Sequence, residues 1–440
     1  MRVSRGVFFS QVLRWCVPLL VLLSCGARER VAPQRPEPLF KLPILTPTVM
    51  LGIDVLASDG FAAVRGKRVG LLTHPAGVNR YGVSTVEVLR RAKGVNLVCL
   101  FAPEHGIYGN APASAMVEDS LDLRTGLPVH SLYGKNRQPT RAQLKTIDAL
   151  VIDLQDIGVR SYTYGVVMRY AMEACFLNGV EVIVLDRPNP LGGLKADGPP
   201  LDRELRSGVG AFPVPYVHGL TIGELARLAV GEPGVMNVPD KVRARGRLTV
   251  VAMRGWRREM RWPDTGLKFV PTSPAIGDFN AVVGYAMIGL GCEESGFTHS
   301  MGPPSSFQIL AIKGKTPAQL ERDLTALRLP GLRFQQATMA DGQGRPTGGV
   351  LVRVANWAAW NPTELSFHLM RLACRYRSPN PFLSVSALEA SKFNKHVGSM
   401  AWWNALRRDG ARVDVERFQR EWRAQAKRYQ EQTRKYWLYR

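Results

Sequence analysis

The run ALVIDLQD at residues 149–156 decides the fold class, because it begins with consecutive apolar residues rather than the alternation of a half-exposed strand. Three similar runs accompany it: RVGLLTH (68–74), NLVCLFAPE (96–104) and VEVIVLD (180–186). Helical patterns separate the runs, and one of them opens with Ser84 and Glu87 at the spacing of a capping box. Continuous Val, Ile and Leu is typical of parallel strands covered on both faces, so residues 49–220 are predicted to form an α/β domain with a parallel sheet.

Polar residues end each of these four runs. They are Thr73 and His74, Glu104 and His105, residues 153–156, and residues 186–190. Each one taken alone is often only an N-cap of the next helix. Ligands of open parallel sheets bind outside the carboxyl ends of the strands, however, so four polar strand ends together predict a site in one crevice.

Glu104 is the strongest candidate for chemistry in this crevice. It follows an apolar run and precedes His105 in a glycine-containing loop, and a carboxyl partly withdrawn from water suits a general acid. The segment GVRSYTYG (158–165) offers a second polar group. Its side chains could stack on a sugar and pair with a carboxylate, or they could simply pack a helix N-terminus; they are Arg160, Tyr162 and Tyr164.

Composition and motifs limit the partners. Lys and Arg number 58 and Asp and Glu 36, which gives a formal net charge of +22. The sequence has no zinc-finger spacing, RRM signature or basic-region heptads, so an anionic envelope surface is favoured and no nucleic acid is expected. It also lacks a P-loop, a GxGxxG after the first strand and a GxSxG elbow. Without HxH, HxxxH or CxxC spacing, neither a metal site nor a cofactor is expected.

Residues 1–25 predict a secretory signal peptide. Arginines precede the apolar run WCVPLLVLL (15–23), which is too short to span a bilayer. The run ends in a sequence that resembles a bacterial lipobox, which predicts lipidation of Cys25 and membrane attachment through that lipid; an ordinary cleavage site is the alternative. The Pro-rich residues 26–48 then form a tether, and the protein is expected to lie in the periplasm or cell envelope.

Residues 221–440 show a mixed pattern and predict a smaller α+β domain. Strand-like runs are LTVVAM (248–253), SFQILAI (306–312) and GGVLVRVAN (348–356). Helices are predicted after Thr221, after Thr316, after Asn361 and over residues 413–436. Tryptophans in this half could include sugar-stacking rings, although most aromatic side chains in such a domain are core.

Five longer motifs, taken together and in this order, resemble one family. They are FAPEHGIYG (101–109), TGLPVHSLYG (125–134), DLQDIGVRSYTY (153–164), LDRPNPLGG (185–193) and PVPYVHGLTIGELA (213–226). The family is that of the bacterial exo-β-N-acetylmuramidases of the NamZ type, long known only as a domain of unknown function. The resemblance extends from about residue 50 to the C-terminus. It implies a Rossmann-like domain, a smaller second domain with a sugar site in the cleft, and release of N-acetylmuramic acid from the non-reducing ends of peptidoglycan.

The resemblance also implies roles for particular residues. Glu104 is the expected catalytic acid/base, with His105 beside it, and Asp156 is the expected group to polarise the acetamido carbonyl if catalysis is substrate-assisted. The residues expected to bind substrate are His74, Arg160, Tyr164, Asp186, Asn189 and His218. Glycosidases normally use two carboxyls, about 5–5.5 Å apart for retention or about 6.5–9.5 Å for inversion. The sequence leaves the retaining, inverting and substrate-assisted routes open.

One segment departs from the family's pattern. Where members of the family typically have a Glu-Gly-Thr-Asn run and then Gly-Arg-Gly-Thr-Thr, this chain reads GLGCEESGFTHSMGPPSSF (289–307), with Glu293 and Glu294 as approximate stand-ins. Those positions contribute to the cleft in the usual members. The departure keeps two alternatives open: a catalytically silent peptidoglycan-binding lipoprotein, and a hydrolase of a different amino-sugar glycan.

Overall fold

The larger of two sheets has seven strands in the computed structural model, which describes residues 49–440 except 110, 112–115, 117, 303–304 and 341–343. The strands are β1 (Arg68–Thr73), β2 (Asn96–Ala102), β3 (Ser120–Asp122), β4 (Leu127–Ser131), β5 (Ala149–Asp153), β6 (Glu181–Leu185) and β7 (Leu248–Val251). Their order is β3-β4-β2-β1-β5-β6-β7, and all neighbours are parallel except β3 and β4. The predicted α/β class is confirmed. The predicted signal peptide, Cys25 and the tether lie outside the described residues.

Helices flank this sheet. They are α1 (Gly52–Ser58), α2 (Thr85–Arg91), α3 (Arg141–Leu144), α4 (Thr163–Leu177), α5 (Ile222–Gly231) and α6 (Asp240–Arg245). The Ser84 hydroxyl accepts a hydrogen bond from the Glu87 amide at 3.2 Å, and Thr221 forms a complete capping box at the start of α5. These caps satisfy backbone amides that have no partner within the helix, so they fix where α2 and α5 begin.

Apolar side chains cover both faces of the sheet. Leu72 packs in one cluster with Met168 of α4, and Leu71 packs in the other cluster with Ile53 of α1. Every residue of β5 is buried. Burial of each such aliphatic side chain contributes about 1.5–3 kcal/mol, which explains why the strands read as continuous apolar runs.

The strand order places a switch point at β1, which lies between β2 and β5. The chain winds from β1 toward β2 on one side and continues with β5 on the other. Parallel strands end at the same edge of a sheet, so the loops that follow β1, β2, β5 and β6 meet there. This edge is where ligands of open α/β sheets bind.

An antiparallel sheet with order β10-β11-β9-β8 lies in the second half. Its strands are β8 (Phe297–His299), β9 (Ile309–Ile312), β10 (Leu332–Ala340) and β11 (Pro346–Val354). The helices here are α7 (Phe279–Cys292), α8 (Pro317–Ala326), α9 (Glu364–Tyr376), α10 (Ala387–Val397), α11 (Met400–Asp409) and α12 (Val415–Thr433). Short 3₁₀ segments lie at Arg203–Leu205, Trp262–Thr265, Pro381–Leu383, Gly410–Arg412 and Arg434–Tyr436. Trp402 and Trp422 pack with Phe367 in the core of this region, so these tryptophans are structural.

The large sheet continues past residue 220, where the sequence predicted the end of the first domain. The run at 248–253, assigned from sequence to the second half, supplies β7, and Val250 pairs in parallel with Val184 of β6. A short apolar run does not indicate which sheet it will join, so the sequence pattern grouped this run with the elements that follow it in the chain. Within the described ranges, no helix has the length and apolar character needed to cross a membrane.

Candidate active site

A cavity of about 360 Å³ lies at the carboxyl edge of the large sheet. Part of its wall comes from the loop after β2 and from the first turn of α4. The opposite wall comes from residues 273–276, from α7 and from the loop after β8. The wall residues with polar side chains are Glu104, His105, Ser161, Tyr162, Thr163, Tyr164, Ser273 and Tyr285. Of the four polar strand ends predicted to share a crevice, the pair after β2, Glu104 and His105, lines this cavity.

Glu104 is half-buried in the cavity wall. The Thr163 hydroxyl donates a hydrogen bond to its Oε2 at 3.0 Å, so the first residue of α4 orients the carboxyl. A carboxyl held in one orientation beside a cavity can act as a general acid, which protonates the leaving atom as a bond breaks.

His105 is buried beside Glu104 and has φ of 72°, a left-handed backbone conformation that is uncommon for a residue other than glycine. Its Nδ1 lies 2.8 Å from the carbonyl oxygen of Ala111. A carbonyl can only accept, so the imidazole proton of the neutral ring is on Nδ1. The strained backbone and this hydrogen bond together fix the turn that presents Glu104 to the cavity.

Two tyrosines at the start of α4 hold the opposite loop. Tyr162 Oη donates to Thr272 Oγ1 at 2.7 Å, and Tyr164 Oη donates to the Thr272 carbonyl at 2.6 Å. Burial raises the pKa of both phenols, so they stay protonated. The sequence left sugar contact and packing open for these residues. In the structure the rings line the cavity wall and the hydroxyls donate hydrogen bonds to the loop.

His74 supports the cavity from below. Its Nε2 accepts a hydrogen bond from the Gln155 amide at 2.9 Å, and its ring contacts the Tyr164 ring with centroids 4.6 Å apart. Burial, with the Arg187 cation, lowers the pKa of His74 to about 3, so the imidazole is neutral. The structure thus places this expected substrate-binding residue behind the wall, where it positions Tyr164.

Asp156 and His218 form a buried pair that is not part of the cavity wall. Asp156 Oδ2 accepts from the Gly158 amide at 2.7 Å and lies 3.4 Å from His218 Nε2. His218 Nδ1 accepts from the Leu220 amide at 3.2 Å, so the proton of the neutral ring is on Nε2 and faces Asp156. Burial raises the pKa of Tyr162, and the charge of Asp156 adds to that effect. The charge of Asp156 therefore reaches the Tyr162 phenol, although Asp156 itself does not line the cavity.

Arg160 lies away from the cavity, unlike the sequence expectation. Its guanidinium donates to backbone carbonyls in two distant parts of the chain: those of Pro199, Val214, His396 and Val397. Burial lowers the pKa of this guanidinium to about 10, which leaves it protonated at neutral pH. Sequence shows a cation beside two tyrosines, but only the tertiary fold shows that backbone carbonyls accept hydrogen bonds from both of its Nη atoms.

Asp186 and Asn189 are also held by the chain itself. The Asp186 carboxyl accepts hydrogen bonds from four groups: the amides of Arg187 and Gly223 and the hydroxyls of Thr221 and Tyr439. Burial raises the pKa of Asp186 to about 6. Asn189 Nδ2 donates to the Leu220 carbonyl, and its Oδ1 accepts from the Leu191 amide. These side chains follow β6 beneath α5 and the C-terminal tail, where buried backbone groups need partners.

The second half supplies wall residues that sequence reasoning missed. Residues 273–276 and Tyr285 of α7 line the cavity, and the Tyr285 hydroxyl lies 3.1 Å from Ser161 Oγ. A Pro-rich loop before the Asp278 N-cap was the available signal for this segment. The departing segment 289–307 also reaches the site.

Met301, Gly302 and Phe307 of that departing segment line the cavity. The approximate stand-ins Glu293 and Glu294 do not, and Glu293 instead lies 3.2 Å from His396 Nδ1. Among the residues that the structure describes, no group of three or more His, Cys, Asp or Glu side chains is arranged to hold a metal ion.

Comparison with known proteins gives consistent matches. The model of the N-terminal domain of the exo-β-N-acetylmuramidase NamZ matches residues 69–280, and the model of its C-terminal domain matches residues 283–439. The curated relative "Peptidoglycan beta-N-acetylmuramidase NamZ" of Bacillus subtilis (strain 168) is 41% identical over 314 residues, which is 70% of this chain and 73% of the relative.

Two crystal structures of DUF1343 family proteins from Bacteroides fragilis NCTC 9343 are also similar. One is 36% identical with a TM-score of 0.81 and covers 90% of this chain and 100% of its own. The other is 24% identical with a TM-score of 0.65, covers 89% and 99%, and shows the fold alone.

Proposed function

Because this chain belongs to the exo-β-N-acetylmuramidase NamZ family, we propose that it is a glycoside hydrolase that releases N-acetylmuramic acid from the non-reducing ends of peptidoglycan fragments. The observation that carries the proposal is the Glu104 carboxyl in the wall of the 360 Å³ cavity, oriented by Thr163. A cavity of this size accepts one terminal amino sugar, as an exo-acting enzyme requires.

Glu104 is the proposed general acid and base. In the first step its proton passes to the glycosidic oxygen while the bond from that oxygen to the sugar C1 breaks. In the second step it takes a proton from the water that attacks C1. The products are free N-acetylmuramic acid and a glycan chain shorter by one sugar.

We propose that the acetamido carbonyl of the substrate is the nucleophile of the first step. Among the described residues that line the cavity, Glu104 is the one carboxylate, and both two-carboxylate routes need a second. Asp156 lies behind Tyr162 and contributes a negative charge that favours the positive charge developing on the sugar. His218 holds this carboxylate in place, which makes His218 a positioning residue.

The test uses the full chain with a chromogenic N-acetylmuramide and the matching N-acetylglucosaminide. We expect turnover of the muramide and a loss of at least about 100-fold in kcat for Glu104→Gln, since general acid catalysis contributes about 10²–10⁴-fold. Glu431→Gln, on the exposed part of α12, is the matched control and keeps full activity. Full activity of folded Glu104→Gln would remove Glu104 from the mechanism.

The lipoprotein proposal rests on the sequence of residues 1–25. We propose that Cys25 becomes the lipidated N-terminus and that the protein works at the cell envelope, where its substrate lies. Labelling cells with radioactive palmitate should mark the protein, and Cys25→Ala should abolish the label. Absence of label from the unaltered protein would favour an ordinary cleavage site.

A further inference from the structure

A second cavity, of about 930 Å³, lies between residues 135–145 and the C-terminal end of α4. No acidic residue lines it. Its four cationic side chains are all exposed, and none is in an ion pair with an acidic group of the described residues: Lys135, Arg137, Arg141 and Lys145. Exposed cations that share a cavity repel one another, so an anionic ligand would stabilise this arrangement.

A third cavity, of about 280 Å³, lies along α4 between the basic cavity and the active site. It shares Arg137 with the basic cavity and Thr163 with the wall that holds Glu104. Tyr133 and Tyr170 line it, and the Arg137 guanidinium lies 4.2 Å from the centroid of the Tyr133 ring. We call the two cavities together, with the α4 residues between them, the α4 groove.

The length of the α4 groove matches a chain rather than a single sugar. Helix α4 rises about 1.5 Å per residue, so Thr163 and Ala174 of the basic cavity, eleven positions apart, lie about 17 Å from each other along the helix. An exo-acting hydrolase holds the terminal sugar in its active site, and the rest of the glycan leaves on the side of the general acid. The α4 groove begins on that side, at the residue bonded to Glu104.

We propose that the α4 groove binds the part of the glycan that departs in the reaction, an inference that rests on the proposed function. The cations of its basic cavity pair with the lactyl carboxylates of further N-acetylmuramic acid residues in a peptide-free chain. The aromatic rings of the middle cavity suit sugar faces. Arginine presents a planar fork to a carboxylate, and such a glycan carries a carboxylate on every second sugar. The substrate class is therefore an anionic, peptide-free muramyl glycan longer than a disaccharide.

Binding is measured with the full chain carrying Glu104→Gln, so that the ligand is not consumed. The probe is a peptide-free tetrasaccharide of alternating N-acetylglucosamine and N-acetylmuramic acid, titrated by calorimetry. We expect Arg141→Gln with Lys145→Gln to weaken binding about tenfold in low salt, and the difference to disappear in about 1 M NaCl, where the Debye length is only about 3 Å. The matched control is Lys427→Gln with Arg428→Gln, which removes the same charge from an exposed part of α12.

Equal binding by the double variant and its control would overturn the inference. So would a weakening seen only with tetrasaccharides that carry stem peptides, because the ligand would then be the peptide. Kinetics with the active chain separate this inference from the proposed function. If the unaltered protein hydrolyses neither disaccharide nor tetrasaccharide, the proposed function fails, while charge-dependent tetrasaccharide binding still reports on the groove.

Discussion

Replacing Arg160 by methionine distinguishes a substrate-binding role from a structural role for this side chain. The guanidinium is buried and donates to the carbonyls of Pro199 and Val214 and to those of His396 and Val397, at 2.8–3.2 Å. Methionine keeps most of the side-chain volume but has no donor. The substitution therefore leaves four buried or part-buried carbonyls without this partner.

The magnitude follows from these four bonds. Each intramolecular hydrogen bond contributes about 0.5–1.5 kcal/mol net, so the set contributes about 2–6 kcal/mol. Methionine also removes the cost of burying a cation that has no carboxylate in contact, which offsets part of the loss. We expect Arg160→Met to lower the free energy of unfolding by about 2–4 kcal/mol.

Thermal unfolding followed by circular dichroism measures this loss, with Arg428→Met on exposed α12 as the control that should leave the transition unchanged. Activity is measured well below the transition, where we expect KM for the chromogenic muramide to stay within about threefold. An unchanged unfolding transition together with a tenfold rise in KM would refute the reasoning, because the guanidinium would then contact substrate.

Three further predictions concern the active site. Thr163→Val should lower kcat about tenfold with little change in KM, because Glu104 loses its orienting donor, and Thr163→Ser should restore the rate. His74→Asn should reduce the loss of stability in acid, because the pKa of His74 is about 3 in the folded state and 6.5 in the unfolded state. The neutral His74 ring therefore contributes about 5 kcal/mol to the free energy of unfolding above pH 6.5, and this contribution is lost as the pH falls toward 3. Denaturant unfolding at a series of pH values measures the difference. Asp156→Asn should lower kcat more than it raises KM, and an equal KM effect would indicate a binding role instead.

The sequence predicted the sheet and one side of the cavity because those features have local signals. A continuous apolar run implies a covered strand, and a polar residue at its end is placed at the edge where strands converge. Glu104 follows from that rule. Tyr285 and residues 273–276 do not, because no spacing in the chain relates them to β2 or α4. Their approach depends on how α7 packs, which is a property of the folded core.

For two polar residues, Arg160 and Asp186, the type of side chain did not predict that burial would pair them with other parts of the chain. Arg160 and Asp186 are polar side chains of kinds that often bind ligands, and Arg160 directly precedes residues that line the cavity. The Arg160 Nη atoms and the Asp186 carboxylate are nevertheless hydrogen-bonded to other parts of the chain. A polar residue at the end of a strand can contact a ligand or form hydrogen bonds with buried backbone groups, and the sequence does not show which.

Hydrogen bonds from the C-terminal residues and from Arg160 link distant parts of the chain around the large sheet. Tyr439 donates to Asp186 after β6, and the Leu438 amide donates to Glu224 of α5 at 2.9 Å. Arg160 joins the loop after β5 to the end of α10. Because Thr163 lies three residues after Arg160, the position of the hydroxyl that bonds to Glu104 depends on carbonyls more than two hundred residues away in the chain. The second half therefore helps to build the candidate site both through the opposite wall of the cavity and through the placement of α4.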